Sequence, residues 1–308
     1  MKKYSKIILA GGSGQIGAAL CNHFKDVTES IIILSRVPEN SNGNIRSLKW
    51  DGKTVGEWAK ELDGADMLIN LAGKNVNCRY NQKNKDEIIN SRVNSINVLA
   101  SALSQCTIPP ALFIQCASAT IYRHAEDRPM TEENGEIGEG FSVGVCKKWE
   151  GTFWEQTKKF ATMRKAVLRI SLVMGPKEGV FPRLKNLVKF GLGGKQGNGK
   201  QMVSWIYEKD IAGMVEWIIT HRELEGTFNC TAPLPVTNKE MMKIIRKAFN
   251  MPIGLPAPTL LLEAGALLIG TETELILKSR WVLPERILKS GYSFQFPDMA
   301  NAIHDIIS

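Results

Sequence analysis

The segment Gly11-Gly12-Ser13-Gly14-Gln15-Ile16-Gly17 directly follows the apolar run Lys6–Ala10 and opens a stretch of helical periodicity, Gln15–Phe24. The G-x-x-G-x-x-G spacing gives glycine where the chain must turn tightly, where backbone must approach a pyrophosphate, and where a helix must pack closely on a strand. The helix amino terminus adds free N–H groups and the positive end of its dipole. Alone, such a turn collects glycine for steric reasons. In a strand, turn, helix, strand context it predicts that all seven residues line a dinucleotide cofactor.

The rest of the first half repeats that alternation. Ile31–Leu34, Met67–Leu71, Leu112–Gln115 and Val167–Ile170 read as further buried strands, separated by helical stretches at Lys83–Leu103 and through Trp149. This is the pattern of an α/β fold with a doubly wound parallel sheet covered on both faces. Ser204–Ile206 and Asp210–Thr220 read as one more short strand and its helix. Between them and the first half, Gly191, Gly193, Gly194, Gly197 and Gly199 make loop chemistry. The expected division is a cofactor-binding domain over 1–174 and 203–231, a glycine-rich loop over 175–202, and a smaller, mainly helical substrate or capping domain over 232–308.

The end of the second strand chooses between the two nicotinamide dinucleotides. An acidic residue there would accept hydrogen bonds from the adenosine ribose, but this chain has Ser35 and Arg36. A guanidinium pairs with phosphate through two parallel hydrogen bonds, so the 2′-phosphate of NADP (NADPH) is the expected partner. The competing reading is a plain surface arginine.

Composition narrows the remaining classes. The chain of 308 residues has 39 Lys and Arg against 31 Asp and Glu, a net charge of +8, yet no run of five basic residues. The excess reads as dispersed, and no nucleic-acid motif accompanies it. Six cysteines without a C-x-x-C pair indicate reduced thiols rather than a metal or disulfide framework, and the four histidines have no metal or triad spacing. The longest apolar stretch, Leu260–Gly270, is interrupted by Glu263 and is too short to span a bilayer. The expectation is a cytoplasmic protein with a small-molecule substrate, no membrane or nucleic-acid partner, and room for a homodimer.

Further motifs carry a family resemblance. Asn70-Leu71-Ala72-Gly73 and Ala117-Ser118-Ala119-Thr120-Ile121-Tyr122, with Thr131-Glu132 and Trp149-Glu150, resemble the extended short-chain dehydrogenase/reductases, the class of nucleotide-sugar epimerases and dehydratases. Asn90-Ser91-Arg92-Val93, Gly191-Leu192-Gly193-Gly194, Ser204-Trp205-Ile206, Thr231-Ala232-Pro233 and Gly291-Tyr292-Ser293-Phe294 together resemble its atypical SDR39U1-type epimerase branch. The resemblance implies a Rossmann domain, an NADP-type cofactor and a helical carboxy-terminal domain. It implies cofactor contacts at Leu71, Ala72, Gly73 and Val173, and names no substrate.

One expected feature is missing. Enzymes of this superfamily use a Tyr-x-x-x-Lys pair, in which lysine lowers the pKa of a phenol that exchanges a proton with substrate. The residues four beyond the five tyrosines are Ile8, Asn84, Glu126, Ile211 and Phe296, so no such pair exists. Family spacing from Glu150 puts Ser142 and Cys146 in its place; Lys147 is displaced by one residue, about 100° around a helix. Arg92 stands where the family carries asparagine and reads either as a cofactor or substrate contact or as an ordinary helix arginine. Glu87 reads either as a partner for cofactor hydroxyls or as a solvated acid. Ser118, matching the family's catalytic serine, and Tyr122, the nearest phenol, are the candidate catalytic residues. The expected function is an NADP-dependent oxidoreductase or epimerase lacking the usual pair; the alternative is a non-catalytic NADP-binding sensor or regulatory protein.

Overall fold

The computed structural model describes residues 2–259, 262–263 and 274–308. The strands are β1 (Tyr4–Ala10), β2 (Thr28–Ser35), β3 (Ile45–Lys49), β4 (Met67–Asn70), β5 (Leu112–Ser118), β6 (Arg164–Ile170), β7 (Leu172–Met174), β8 (Met202–Val203), β9 (Trp205–Tyr207), β10 (Gly226–Cys230) and β11 (Val236–Thr237). The helices are α1 (Gln15–Phe24), α2 (Gln82–Leu103), α3 (Phe141–Thr157), α4 (Phe181–Lys189), α5 (Glu208–Thr220), α6 (Asn238–Ala248), α7 (Glu285–Lys289) and α8 (Met299–Ile307), with a single turn at Glu274–Leu277.

Seven strands form one sheet in the order β10-β6-β5-β4-β1-β2-β3, with every neighbouring pair parallel. Side chains alternate across a strand, so a sheet covered on both faces needs apolar residues at consecutive positions. Ile7 and Leu9 of β1 enter the core formed with α1 and α5. Ile8 and Ala10 enter the opposite core, with Ile96, Leu99 and Leu103 of α2 and Phe153 of α3. Each fully buried side chain of this kind contributes about 1.5–3 kcal/mol. The strand order reverses between β1 and β4, which is where an open α/β sheet leaves a crevice for a ligand. The glycine turn leaves the end of β1 at that point.

A third core joins Phe181, Leu184 and Val188 of α4 to Met241, Met242 and Ile245 of α6 and to Met299 and Ile303 of α8. The expected loop at 175–202 therefore contains a helix. Pro182 lies in the first turn of α4, whose buried apolar residues lie three and four apart, a short stripe masked in sequence by Arg183 and Lys185 between them. The glycines that follow form an ordered connection: Gln196 N–H donates to Asn238 Oδ1 at 2.8 Å, and Asn238 Nδ2 donates to Gln196 Oε1 at 3.0 Å. Nor does all of 232–308 belong to the third core, since Ile287 and Tyr292 pack with α1 and α5. Within the seven-stranded sheet, β3 and β10 are the strands that the sequence reading lacks. β3 is a half-buried edge with three charged or polar residues, and β10 carries Thr227 and Asn229 in an otherwise short apolar run. No helix among the described residues is long and apolar enough to cross a membrane; most of Leu260–Gly270 lies outside the described residues.

Candidate functional site

The glycine turn is built by close contacts. Gly11 has φ +75°, and a Cβ there would lie 2.8 Å from Ala72 Cα, so the β1 and β4 turns touch backbone to backbone. A Cβ on Gly17 would lie 1.9 Å from the carbonyl oxygen of Gly12. Gly17→Ala is thus expected to destabilise the protein by roughly 3 kcal/mol or more and to abolish dinucleotide binding, measured by urea denaturation and by nucleotide titration. At Gly14 a Cβ would meet nothing within 4 Å. Gly14 is also the N-cap of α1, with no capping side-chain hydrogen bond and no acid in the first turn, whereas Asn81 caps α2. The open space and uncapped N–H groups suit a pyrophosphate.

Around this turn, Gln15 Nε2 donates to Glu208 Oε2 at 2.8 Å. Gly175 and Gly179 leave room for that contact, since a Cβ on either would strike Gln15 or Glu208. Ile16 and Leu71 pack on the core below, as does Val173, which pairs with Ile206 between β7 and β9. Ser13 lines a cleft of about 1040 Å³ between α1 and α5 that only borders the glycine turn.

Ser35 is buried, and its hydroxyl turns back on the chain, donating to Val37 O at 3.0 Å and accepting from Val37 N at 3.3 Å. It shapes the turn that presents Arg36. Arg36 is exposed and makes no hydrogen bond or ion pair among the described residues.

Beyond β4, Asn70 is fixed by three contacts: Nδ2 donates to Ser95 Oγ and Gln115 Oε1, and Oδ1 accepts from Ala72 N. Lys74 N donates to Ser91 Oγ at 2.9 Å, and its ammonium bonds Asn84 and Glu87. Glu87 is an exposed ion-pair partner of Lys74, whose hydrogen bond lowers the carboxyl's pKa. Arg92 is buried, with Nη1 donating to Ile88 O at 2.9 Å and Lys74 O at 3.2 Å. Its guanidinium lies 4.6 Å from the Trp149 ring, and a Cβ on Gly73 would sit 3.1 Å from its Cζ. It is not a surface arginine: it holds the Gly73-Lys74 backbone from beneath.

The two catalytic candidates part company. Ser118, half-buried at the end of β5, donates to Thr120 Oγ1 at 3.0 Å and accepts from Thr120 N at 3.2 Å, and the turn after it packs on α3. Tyr122 is 1% exposed. Its hydroxyl donates to Asn229 Oδ1 and accepts from Arg169 Nη1, both at 2.8 Å, while Arg169 forks onto Glu150 at 2.9 and 2.8 Å. Asn229 Nδ2 reaches Leu283 O, and Glu132 accepts from Asn229 N and Arg286 N. The Tyr122 phenol, its pKa raised by burial against Arg169's opposing charge, joins sheet, α3 and carboxy-terminal segment. The catalytic assignment of Tyr122 is corrected on that ground: a sealed hydroxyl with both partners supplied has no path to a substrate.

On α3, Ser142 donates to Glu274 Oε2 at 3.0 Å, and Glu274 lies 3.7 Å from Lys278. Cys146, one turn on, is 4% exposed. Burial pushes its thiol up to about 12, with Arg92, Arg280 and Lys278 near enough to act against that shift. Burial, then Arg280, lower the pKa of Lys278. Lys278, Arg280 and Glu274 escape sequence reasoning because nothing in their spacing ties them to α3, more than a hundred residues earlier. A thiol whose ionisation burial opposes in this way stays protonated near neutral pH. Cys146 is therefore expected to resist iodoacetamide in the native protein and to react once urea unfolds it, followed by mass spectrometry.

This constellation has known counterparts. The description of the NAD dependent epimerase/dehydratase family fits residues 7–231, most of the chain. The chain belongs to this family. Residues 257–306 match a further domain of unknown function. The epimerase family protein YfhF of Bacillus subtilis is 29% identical over 303 residues, covering 98% of each chain. The mouse epimerase family protein SDR39U1 is 25% identical, covering 98% of this chain and 100% of its own. A crystal structure of human SDR39U1 with NADPH superposes with a TM-score of 0.84 at 25% identity, over 98% of both chains. The doubly wound sheet and its helical appendage are thus those of an epimerase-family Rossmann protein.

Proposed function

We propose that this epimerase-family chain is an NADP-dependent oxidoreductase or epimerase in which the usual Tyr-x-x-x-Lys pair is replaced by other groups. The observation that carries the reading is the uncapped glycine turn with Arg36, solvent-facing and unpaired among the described residues, at the end of the neighbouring strand. The NADPH held by the human relative supports the same cofactor here. Gly11–Gly17 would hold the pyrophosphate, Arg36 the 2′-phosphate, and the Leu71–Gly73 backbone, braced by Arg92, the nucleotide's flank. The bound dinucleotide supplies a hydride donor or acceptor.

The chain's own residues supply position and charge. Ser118 and Thr120 present paired hydroxyls able to orient a substrate oxygen. Ser142 and Glu274 offer a hydroxyl and carboxylate in contact, and the cations Arg92, Lys278 and Arg280 around Cys146 favour a substrate carrying negative charge. The second reading, a nicotinamide-binding sensor, is favoured by the burial of Tyr122 and by Cys146 and Ser142 standing where the family carries its lysine and tyrosine. A screen of carbonyl and hydroxyl substrates bearing carboxylate or phosphate, followed by NADPH absorbance, separates the two. Turnover that falls at least about a hundredfold in Ser118→Ala is expected; tight NADPH binding with no turnover across the screen supports the sensor, and turnover indifferent to Ser118→Ala removes that residue from the site.

A further inference from the structure

The net charge of +8, dispersed along the sequence, is concentrated by the fold. Residues 181–200 carry five basic side chains and no acid, and residues 238–255 carry four basic and one acidic, a local net of +8 that equals the charge of the whole chain. The two segments are neighbours, since α4 and α6 share one core. Arg246 Nη1 donates to Gly193 O at 2.6 Å, Lys189 Nζ lies 5.7 Å from the Phe249 ring centre, and Lys195 and Lys239 both crowd the Cβ position of Gly199. Lys239, Lys243 and Lys247 follow one another at four-residue spacing along α6 and are all exposed. None of the nine cations forms an ion pair among the described residues.

The same lobe exposes apolar side chains. Phe190 is 80% exposed, Ile253 73%, Leu255 60% and Leu192 45%. They are contiguous because Leu255 pairs its backbone with the turn that follows α4: Leu255 N donates to Gly191 O at 2.8 Å and Gly194 N to Leu255 O at 3.0 Å. Large apolar groups left in water beside a strongly cationic surface, nine cations against the single acid Glu240, fit a surface that offers anions in one layer and hydrocarbon just beneath it.

We propose that the α4–α6 lobe is a peripheral docking surface for an anionic lipid bilayer, with Phe190, Leu192, Ile253 and Leu255 entering the headgroup boundary and the surrounding lysines and arginines facing lipid phosphates. A nucleic acid would match the charge but not the aliphatic residues, and the patch holds one exposed aromatic ring for stacking. Docking of this kind needs no spanning helix, and it revises the expectation of no membrane partner.

The test is co-sedimentation of the full chain with vesicles of phosphatidylcholine, with and without about 30 mol % phosphatidylglycerol. Binding only to the anionic vesicles, falling steeply with added salt, is expected. At about fivefold per cation, the triple variant Lys239→Gln, Lys243→Gln, Lys247→Gln loses roughly a hundredfold in partition, while NADPH affinity and circular dichroism stay unchanged. The double variant Phe190→Ser, Ile253→Ser loses about tenfold or more with the same salt dependence. No binding to anionic vesicles overturns the proposal. So does binding indifferent to the Phe190→Ser, Ile253→Ser change, accompanied by equal or tighter binding of a single-stranded oligonucleotide.

Discussion

Arg169→Ala is expected to cost about 3–5 kcal/mol of folding stability, because it leaves the Glu150 carboxylate buried without its cation. The side chains of Arg169 and Glu150 are 13% and 8% exposed, so water cannot replace the lost partner cheaply. The guanidinium also bonds the Tyr122 hydroxyl, which keeps only Asn229 after the change. Urea denaturation measures the loss. A double variant, Arg169→Met with Glu150→Gln, removes both charges and is expected to recover a large part of it, since a buried pair replaced by neutral groups of similar size is often close to neutral in stability. A single-variant loss below about 1 kcal/mol would mean that the ion pair is not what locks α3 to the sheet.

Arg36→Asp carries the largest expected effect on function. A hydrogen-bonded guanidinium–phosphate contact contributes about 1.5–3 kcal/mol, and an aspartate in its place adds repulsion of the 2′-phosphate. NADPH affinity is expected to fall by about a hundredfold or more, while NADH affinity stays the same or improves, read by fluorescence titration of both nucleotides. Because Arg36 is solvent-exposed and makes no contacts among the described residues, the substitution should leave the denaturation midpoint unchanged. An unaltered preference for NADPH would remove Arg36 from the cofactor site, and the choice of dinucleotide would then rest with other residues near the end of β2.

Much of the scaffold is legible from local pattern alone. The glycine turn announces itself because its spacing answers a steric demand within seven residues, and the structure makes that demand concrete in the contact between Gly17 and the Gly12 carbonyl. The five interior strands are equally plain, since burial on both faces requires consecutive apolar residues. The strands that escape are those where the rule relaxes: β3 is an edge, and β10 carries a buried Asn229 whose polarity is satisfied only by partners far away, at Tyr122 and Leu283. α4 escapes because its apolar stripe is short and interleaved with Arg183 and Lys185.

The catalytic region is less legible for the same reason. Ser118 and Tyr122 stand four residues apart in sequence, yet one hydroxyl lies at a half-buried strand end and the other is sealed in a network drawn from four distant segments. Arg92 looks like a helix-surface residue until Trp149 and Gly73 close over it. Lys278 and Arg280 have no visible link to Cys146 until the carboxy-terminal segment folds back across α3.

The sequence by itself determined the doubly wound sheet, the glycine turn at its switch point, the arginine that follows the second strand and the absence of a Tyr-x-x-x-Lys pair, because each depends on residues near one another in the chain. Only the tertiary structure decided that Tyr122 is a structural hub, that cations gather around Cys146, and that the scattered positive charge collects on the α4–α6 lobe. Burial and electrostatics depend on distances in space, and those are set by packing between segments that the linear order keeps apart.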